Sequence, residues 1–382
     1  MSEIKVNSIK GVGASSAAST VNNTDGTCTA NITNNLSNRN VIKNSAMQIA
    51  QRGTSFTSVT STAYHLDRFQ LYLQNTSAAF TATQSTDSPD GFANSYKLDV
   101  TTADTSTASN EEIRLFHKLE GFDVQRFAKG TSAAKKFTLS FYVKTTKTGV
   151  YCVKLFDRDN GRDVSGSYTV SDTNWNRYTI DFPADTTGAF DNDNASSLEI
   201  TWWLVAGSAV QGGTLNTAWR TNADASSATG QVNFADSTSN DWYLTGVQLE
   251  SPDKAVATDF EHRSFAQELA LCQRYFVIQS GGSDVYSFAA KGQGSTSCDV
   301  GIPLCGPMRA SPTVVNTSNR FFRSTTTSQS TSTTNPSVVQ FSTSTTIFSP
   351  VLALNVGGHS STNNEAGCFT LLNQDMTLDA EL

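Results

Sequence analysis

Apolar and polar residues alternate along much of this chain, in short runs separated by turn-forming residues. FTLSFYVK at 137–144 puts Phe137, Leu139, Phe141 and Val143 on one side and Thr138, Ser140, Tyr142 and Lys144 on the other. SLEITWWLV at 197–205 sets Leu198, Ile200, Trp202 and Leu204 against Glu199, Thr201, Trp203 and Val205. A period of two with one apolar face marks a half-buried strand. Strands are predicted at 41–51, 66–73, 95–101, 112–120, 136–144, 149–157, 166–170, 176–182, 197–205 and 241–250. Short strands joined by polar turns predict a sandwich over 37–262, most simply a jelly roll.

Two regions flank it. Residues 1–36 are polar and rich in small residues, with a turn signal at Asp25-Gly26. They are too sparse to bury a core, so an extended segment that attaches to a partner or pairs with copies of itself is expected. RSFAQELALCQRY at 263–275 has helical spacing, with Ser264 as cap, Glu268 in the first turn, and Phe265, Leu269, Cys272 and Phe276 near one stripe. It predicts a short linker helix leading to a C-terminal β domain at 276–382. Within that domain, the Ser/Thr-rich tract 324–346 is expected to form paired strands because of its β-branched content.

Composition agrees with an all-β chain. Of the 382 residues only 16% are charged, against roughly 25% in ordinary soluble domains. Ser, Thr, Asn and Gly take their place and disfavour helices. The net charge of −7 argues against a nucleic-acid partner, which requires a basic face. No apolar stretch approaches a membrane span, so no membrane insertion is expected. The opening MSEIKVNSIKGVG has no signal-peptide core, so assembly in a cytoplasm is expected.

The chemistry of catalysis is not evident. No nucleophile elbow, phosphate loop or H-E-x-x-H motif occurs. His65, His117, His262 and His359 sit in four unrelated contexts and read as packing or surface residues. Six cysteines, none in a C-x-x-C pair, make a zinc site unexpected; they read as reduced thiols, with Cys298 and Cys305 near enough to bridge if oxidised. DRDNGRD at 157–163 offers Asp157, Asp159 and Asp163 as a calcium loop. It lacks the register and closing Glu of an EF-hand, and Asn160-Gly161 reads more simply as a hairpin turn. No cofactor is expected.

An aromatic face can stack on a sugar ring. Adjacent strand residues point to opposite faces, so Trp203 should face outward if Trp202 joins the core. Trp203, Phe321 and Phe322 are the candidate glycan contacts.

Several segments resemble tail-fibre-like structural proteins of marine, largely cyanobacterial, bacteriophages. They are SEIKVNSIKGVGASSAASTVNNTDGTCTANIT, NRNVIKNSAMQIAQRGTS, the DRF at 67–69, and WYLTGVQLE followed by ATDFEHRSFAQELALCQRYF. PMRASPTV at 307–314 and the ending DAEL add to them. The resemblance implies a virion protein, a homotrimer, attached to other tail or head proteins through its N-terminus. Its jelly-roll module resembles carbohydrate-binding modules. The expected role is a non-enzymatic tail fibre or receptor-binding protein that contacts host surface polysaccharide, mainly through 276–382 and secondarily through the jelly roll. A purely structural head fibre, collar or spacer and a polysaccharide depolymerase are the alternatives.

Overall fold

The computed structural model describes residues 38–251 and 257–280 and, of the remainder, 8–9, 19–21, 24, 28–30, 285–292, 297–316, 320–324, 330–332, 337–340, 351–357, 366–372 and 375–382. Near the N-terminus β1 (Ser8–Ile9), β2 (Ser19–Val21) and β3 (Cys28–Ala30) form a small antiparallel sheet. The predicted turn at Asp25-Gly26 lies outside the described residues.

The centre is a jelly-roll sandwich of two antiparallel sheets. The six-stranded sheet runs in the order β13 (Asn176–Phe182), β10 (Phe137–Thr145), β16 (Asp241–Glu250), β8 (Ser95–Thr102), β7 (Ala79–Ser85) and β4 (Ser55–Val59). The seven-stranded sheet runs β15 (Arg220–Thr221), β12 (Arg162–Val170), β11 (Gly149–Asp157), β14 (Ser196–Ala206), β9 (Glu112–Glu120), β6 (Phe69–Gln74) and β5 (Ala63–Tyr64). Their inner faces share one apolar core. In it Trp202 meets Phe141 ring to ring at 5.9 Å, nearly perpendicular, an arrangement aromatic quadrupoles favour.

The alternation of β10 and β14 is as predicted, with one exception. A register shift between Trp203 and Val205 turns Val205 inward with Leu204. A second bulge fixes Gly246. Here Ser140 pairs with Gln248 and Tyr142 with Thr245, so Gly246 and Val247 face Phe141 alone. Gly246 has φ +61° and a Cβ there would lie 2.8 Å from the rings of Phe92 and Tyr142. Only glycine fits that left-handed, crowded position.

Residues 41–51 are not a strand. Val41, Ile42, Met47 and Ile49 are buried as predicted, but Asn44 and Met47 both have φ +55° and break the extended path. Side-chain amides take over the hydrogen bonding of a ladder. Asn40 accepts from the Ile42 and Leu249 amides and donates to Val247. Asn44 accepts from the Ile49 amide and donates to the Ile49 and Asp67 carbonyls. The segment plugs one end of the sandwich. Conversely β4, β5, β7 and β15 are strands that the hydrophobic pattern does not reveal, being short or, like AFTATQS in β7, mostly polar.

The helix α2 (Phe265–Gln273) follows α1, a single turn at Gly121–Val124. Ser264 caps α2 in a reciprocal box with Gln267. Its buried residues are Glu268 and Cys272, whereas Phe265 is 59% exposed. Glu268 is drawn inward because it accepts from the Asn44 amide at 2.5 Å and pairs with Arg263 at 3.4 Å. The helix is therefore docked on the sandwich rather than free between domains.

Beyond it, Phe276–Ser280, Asp375–Asp379 and Thr313–Asn316 form a three-stranded sheet. A seven-stranded sheet lies beyond that and includes Ser330–Ser332 and Ser337–Gln340 from the Ser/Thr-rich tract. Val277, Phe288, Val300, Ile302, Met308, Met376 and Leu378 belong to one apolar core shared by the two sheets. Cys152, Cys272 and Cys298 are buried free thiols and Cys305 is an exposed one, so no bridge joins 298 to 305.

Two histidines are packing residues. The His65 Nδ1 lies 3.2 Å from the Tyr96 hydroxyl, and burial, with the charge of Arg52 adding, pulls its pKa down to about 4. Burial, helped by Arg68, Lys43 and Arg263, holds His117 well below its ordinary value. An unfolded chain would protonate both near pH 6.5. It therefore binds more protons than the folded protein below that pH, and stability rises with pH across the window. We expect the urea midpoint to fall as pH is lowered from about 6.5 to 4. His65→Gln, which can still bond Tyr96, should remove the His65 share, about 3 kcal/mol at the acid end. Identical pH profiles for the two proteins would refute this.

Candidate functional site

The outer face of the seven-stranded sheet carries three rows of side chains set by strand register. Tyr72 on β6 lies opposite Arg114 on β9, which lies opposite Trp203 on β14. One pair along, Gln70, Phe116, Thr201 and Lys154 form the second row. Lys118, Glu199 and Phe156 form the third. The same strands send Ile113, Leu115, Leu119, Leu155 and Ile200 into the core. Pleating therefore fixes the outward set rigidly.

Residues 207–231 cross one end of this face. Gly207 donates to the Glu111 carbonyl at 2.7 Å, Asn222 to Gly161 at 2.8 Å and Ser165 to Asn216 at 2.7 Å. Gln231 accepts from the Cys152 amide at 2.8 Å. Val210 and Ala228 of the segment form a small apolar cluster with Cys152, Trp203 and Ala206 of the sheet. Burial pushes the Cys152 thiol up to about 12, which leaves it unreactive.

The uncovered part of the face is a groove of about 460 Å³. Its floor carries Tyr72, Phe116 and Phe156, and Asn222 and Asp224 from the crossing segment line it on one side. Cations sit close to the rings. The Arg114 guanidinium is 4.5 Å from the Tyr72 ring centre, 4.7 Å from Phe116 and 4.9 Å from Trp203. Lys154 is 5.1 Å and Arg158 5.9 Å from Phe156. Acceptors hold these cations in place. Arg114 pairs with Glu112 at 2.8 Å and Arg158 with Glu199 at 3.0 Å. Lys154 donates to Asn222 at 2.9 Å and pairs with Asp224 at 3.4 Å. Lys118 donates to Gln70 at 3.3 Å and to the Leu382 main-chain oxygen at 2.8 Å.

A larger cavity of about 580 Å³ lies between α2, the residues just before it and 305–307, with no Phe, Tyr or Trp in its lining. The sheet groove is the better preorganised of the two.

Trp203 faces away from the core, as strand alternation requires, yet it is only 1% exposed. The crossing segment covers it, so it supports the groove and does not face a ligand. Phe321 and Phe322 lie in the strand Arg320–Ser324, whose side chains are outside the described residues. The calcium candidates diverge. Asp157 is buried against Lys129 at 2.5 Å, Asp159 accepts from the Asp191 amide, and Asp163 pairs with Arg220 at 3.2 Å. Asn160 and Gly161 form the β11–β12 turn, with Gly161 at φ +60°. The groove residues were missed because they stand on strands read only for their apolar side. Their signal is an aromatic among charges at alternate positions: Glu112, Arg114, Phe116 and Lys118, then Lys154 and Phe156.

Trp203→Ala should lower stability by about 3–5 kcal/mol through the cavity it leaves. It should also raise amide exchange across 207–231, measured by mass spectrometry. Unchanged protection would mean that hydrogen bonds alone hold the segment.

No family model and no curated protein matches the chain. Among solved structures it is similar to the enzymatically active domain of tailspike protein 4 of bacteriophage CBA120, at 13% identity and TM-score 0.29, over 56% of this chain but only 21% of that one. It is similar to the module TmCBM61 in complex with β-1,4-galactotriose, at 8% identity and TM-score 0.28, over 56% of this chain and 99% of the other. The family 11 carbohydrate-binding module from Clostridium thermocellum has 10% identity and TM-score 0.26, over 52% and 98%. At these scores none of them assigns a function to this chain.

Proposed function

We propose that the chain is a bacteriophage fibre or receptor-binding protein and that the groove on the seven-stranded sheet binds a surface glycan of the host. The observation that carries the binding reading is the groove itself. Half-buried Tyr72 and Phe156 stand beside Gln70, Thr62, Asn222 and charged hydrogen-bonding groups on one rigid sheet. A shallow apolar floor with a few fixed polar groups suits a sugar, which has both apolar faces and hydroxyl rims. The phage assignment rests on the resemblance of the sequence segments given above. This reading brings the jelly roll forward as the contact region, ahead of 276–382.

Binding is favoured over hydrolysis. The two carboxylates that line the groove are already engaged, Glu199 by Arg158 and Thr201, and Asp224 by Lys154 and Asn222. A glycosidase needs one carboxyl free to give a proton and another free to attack or activate water. No release of reducing ends from bound polysaccharide is expected.

On a glycan array the purified protein should bind a defined subset of oligosaccharides. The double variant Tyr72→Ala/Phe156→Ala should lose about tenfold or more in affinity, with its circular dichroism unchanged. Full retention of binding by that variant would move the site off this face. Light scattering should give the mass of a homotrimer, because fibres hide strand edges and small apolar faces across a threefold axis. A monomeric mass at micromolar concentration would count against the fibre reading.

A further inference from the structure

The groove carries an excess of cations on a chain whose net charge is −7. Arg114, Lys118, Lys154 and Arg158 line it, against the carboxylates of Glu199 and Asp224. Glu112, just outside, offsets Arg114, and buried Asp163 lies 3.9 Å from Lys154 while paired with Arg220. Lys118 is held differently: among the described residues no Asp or Glu oxygen lies within 4 Å of it, and it donates to the Gln70 amide oxygen and to an oxygen of Leu382, the last residue of the sequence. Burial lowers its pKa, Arg158 and Arg68 add to the lowering, and Glu199 and Glu381 oppose them. An anion arriving beside Lys118 would relieve that environment.

The ring faces point the same way. Stacking of an uncharged sugar needs a bare aromatic face. Phe116 is 6% exposed, with Arg114 at 4.7 Å and Lys118 at 5.9 Å from its centre. Phe156 is flanked by Lys154 and Arg158. Phe116 thus holds cations in position, and beside the half-buried Tyr72 and Phe156 rings the groove presents N–H donors to a ligand. A guanidinium braced on an aromatic ring keeps its outer edge free for two-point bonding to a carboxylate or sulfate.

We propose that the groove selects an anionic glycan, one bearing uronate or sulfate groups, over an uncharged chain of the same kind. This rests on the glycan-binding reading above. Lys118 and Arg158 contact the anionic groups, and Tyr72 and Phe156 contact the sugar rings.

The test uses the full chain on an array holding polygalacturonate oligomers, their fully methyl-esterified counterparts, chondroitin sulfate fragments, and neutral galactan and dextran oligomers. We expect an acidic probe to be bound about tenfold or more tightly than its uncharged counterpart, with affinity falling as salt rises. Uronate-only or sulfate-only binding tells the two anions apart. Lys118→Gln and Arg158→Gln should each weaken acidic binding severalfold, while Lys135→Gln, at an exposed residue that does not line the groove, should not. Arg158 is 43% exposed, so its replacement should leave the fold intact. Binding confined to neutral probes overturns the anion proposal and leaves the glycan reading standing. Binding to no probe overturns both. Acidic binding that Lys118→Gln and Arg158→Gln leave unchanged is nonspecific and overturns the proposal.

Discussion

Arg68 is the residue on which the arrangement turns. Its side chain is fully buried at the end of the sandwich. It pairs with Glu381, donates to the Lys118 carbonyl at 2.6 Å, and lies 3.5 Å over the Tyr275 ring. Tyr275 in turn donates to Glu120 and accepts from Lys43 at 2.8 Å, and Arg274 closes on Glu120 at 2.7 and 2.5 Å. Burial works against the charge of Glu120, but the bonds from Arg274 and Tyr275 and the charge of Lys43 outweigh it and hold the carboxyl below its usual range. Buried charges are tolerated only as complete sets, and removing one member typically costs about 3–5 kcal/mol. Sandwich, helix and the last strand are thus coupled. The groove depends on the same junction, since Arg68 holds the Lys118 main chain while the Lys118 side chain lines the floor.

This explains where the resembling sequence segments go. NRNVIKNSAMQIAQRGTS supplies Asn40, Lys43, Asn44, Gln51 and Arg52. DRF supplies Asp67 and Arg68, SFAQELALCQRYF supplies Glu268, Arg274 and Tyr275, and DAEL supplies Asp379 and Glu381. Asp67 accepts from both the Gln51 amide and side chain, and Arg52 pairs with Asp379 and Glu381. Arg309 of PMRASPTV donates to the main chain of Ala380, Glu381 and Asn194. Segments far apart in sequence read as motifs because they meet in one polar junction, where size, charge and reach are all specified at once.

The sandwich was legible because its strands bury one face: 112–120, 149–157, 176–182 and 241–250 coincide with β9, β11, β13 and β16. Hydrophobic periodicity fails where burial and backbone geometry part company. Residues 41–51 are apolar because they fill a space, but Asn40 and Asn44 replace the ladder with side-chain bonds, and no period announces that. Phe265 fits the helical stripe and yet stays exposed, because Glu268 is claimed by Asn44 and Arg263 from outside the helix. Trp203 shows the same limit on the functional side. Local alternation gives the direction of a side chain; only the long-range return of 207–231 decides whether water reaches it.

That return also shapes the groove. A strand face by itself is nearly flat, and a flat face offers a ligand contact from one side only. By packing on Trp203 and Cys152, 207–231 raises Asn222 and Asp224 beside Lys154 and turns the remaining half of the face into a concave strip. Arg114 joins the two halves, reaching Trp203 under the cover and Phe116 in the open. Position and shape therefore have separate sources. The sheet fixes where the rings and cations stand, to the precision of strand register, and the connecting segment decides how much of that face is open and what walls it. A sandwich of this kind can alter its ligand by changing the crossing segment while the core and the junction around Arg68 stay as they are.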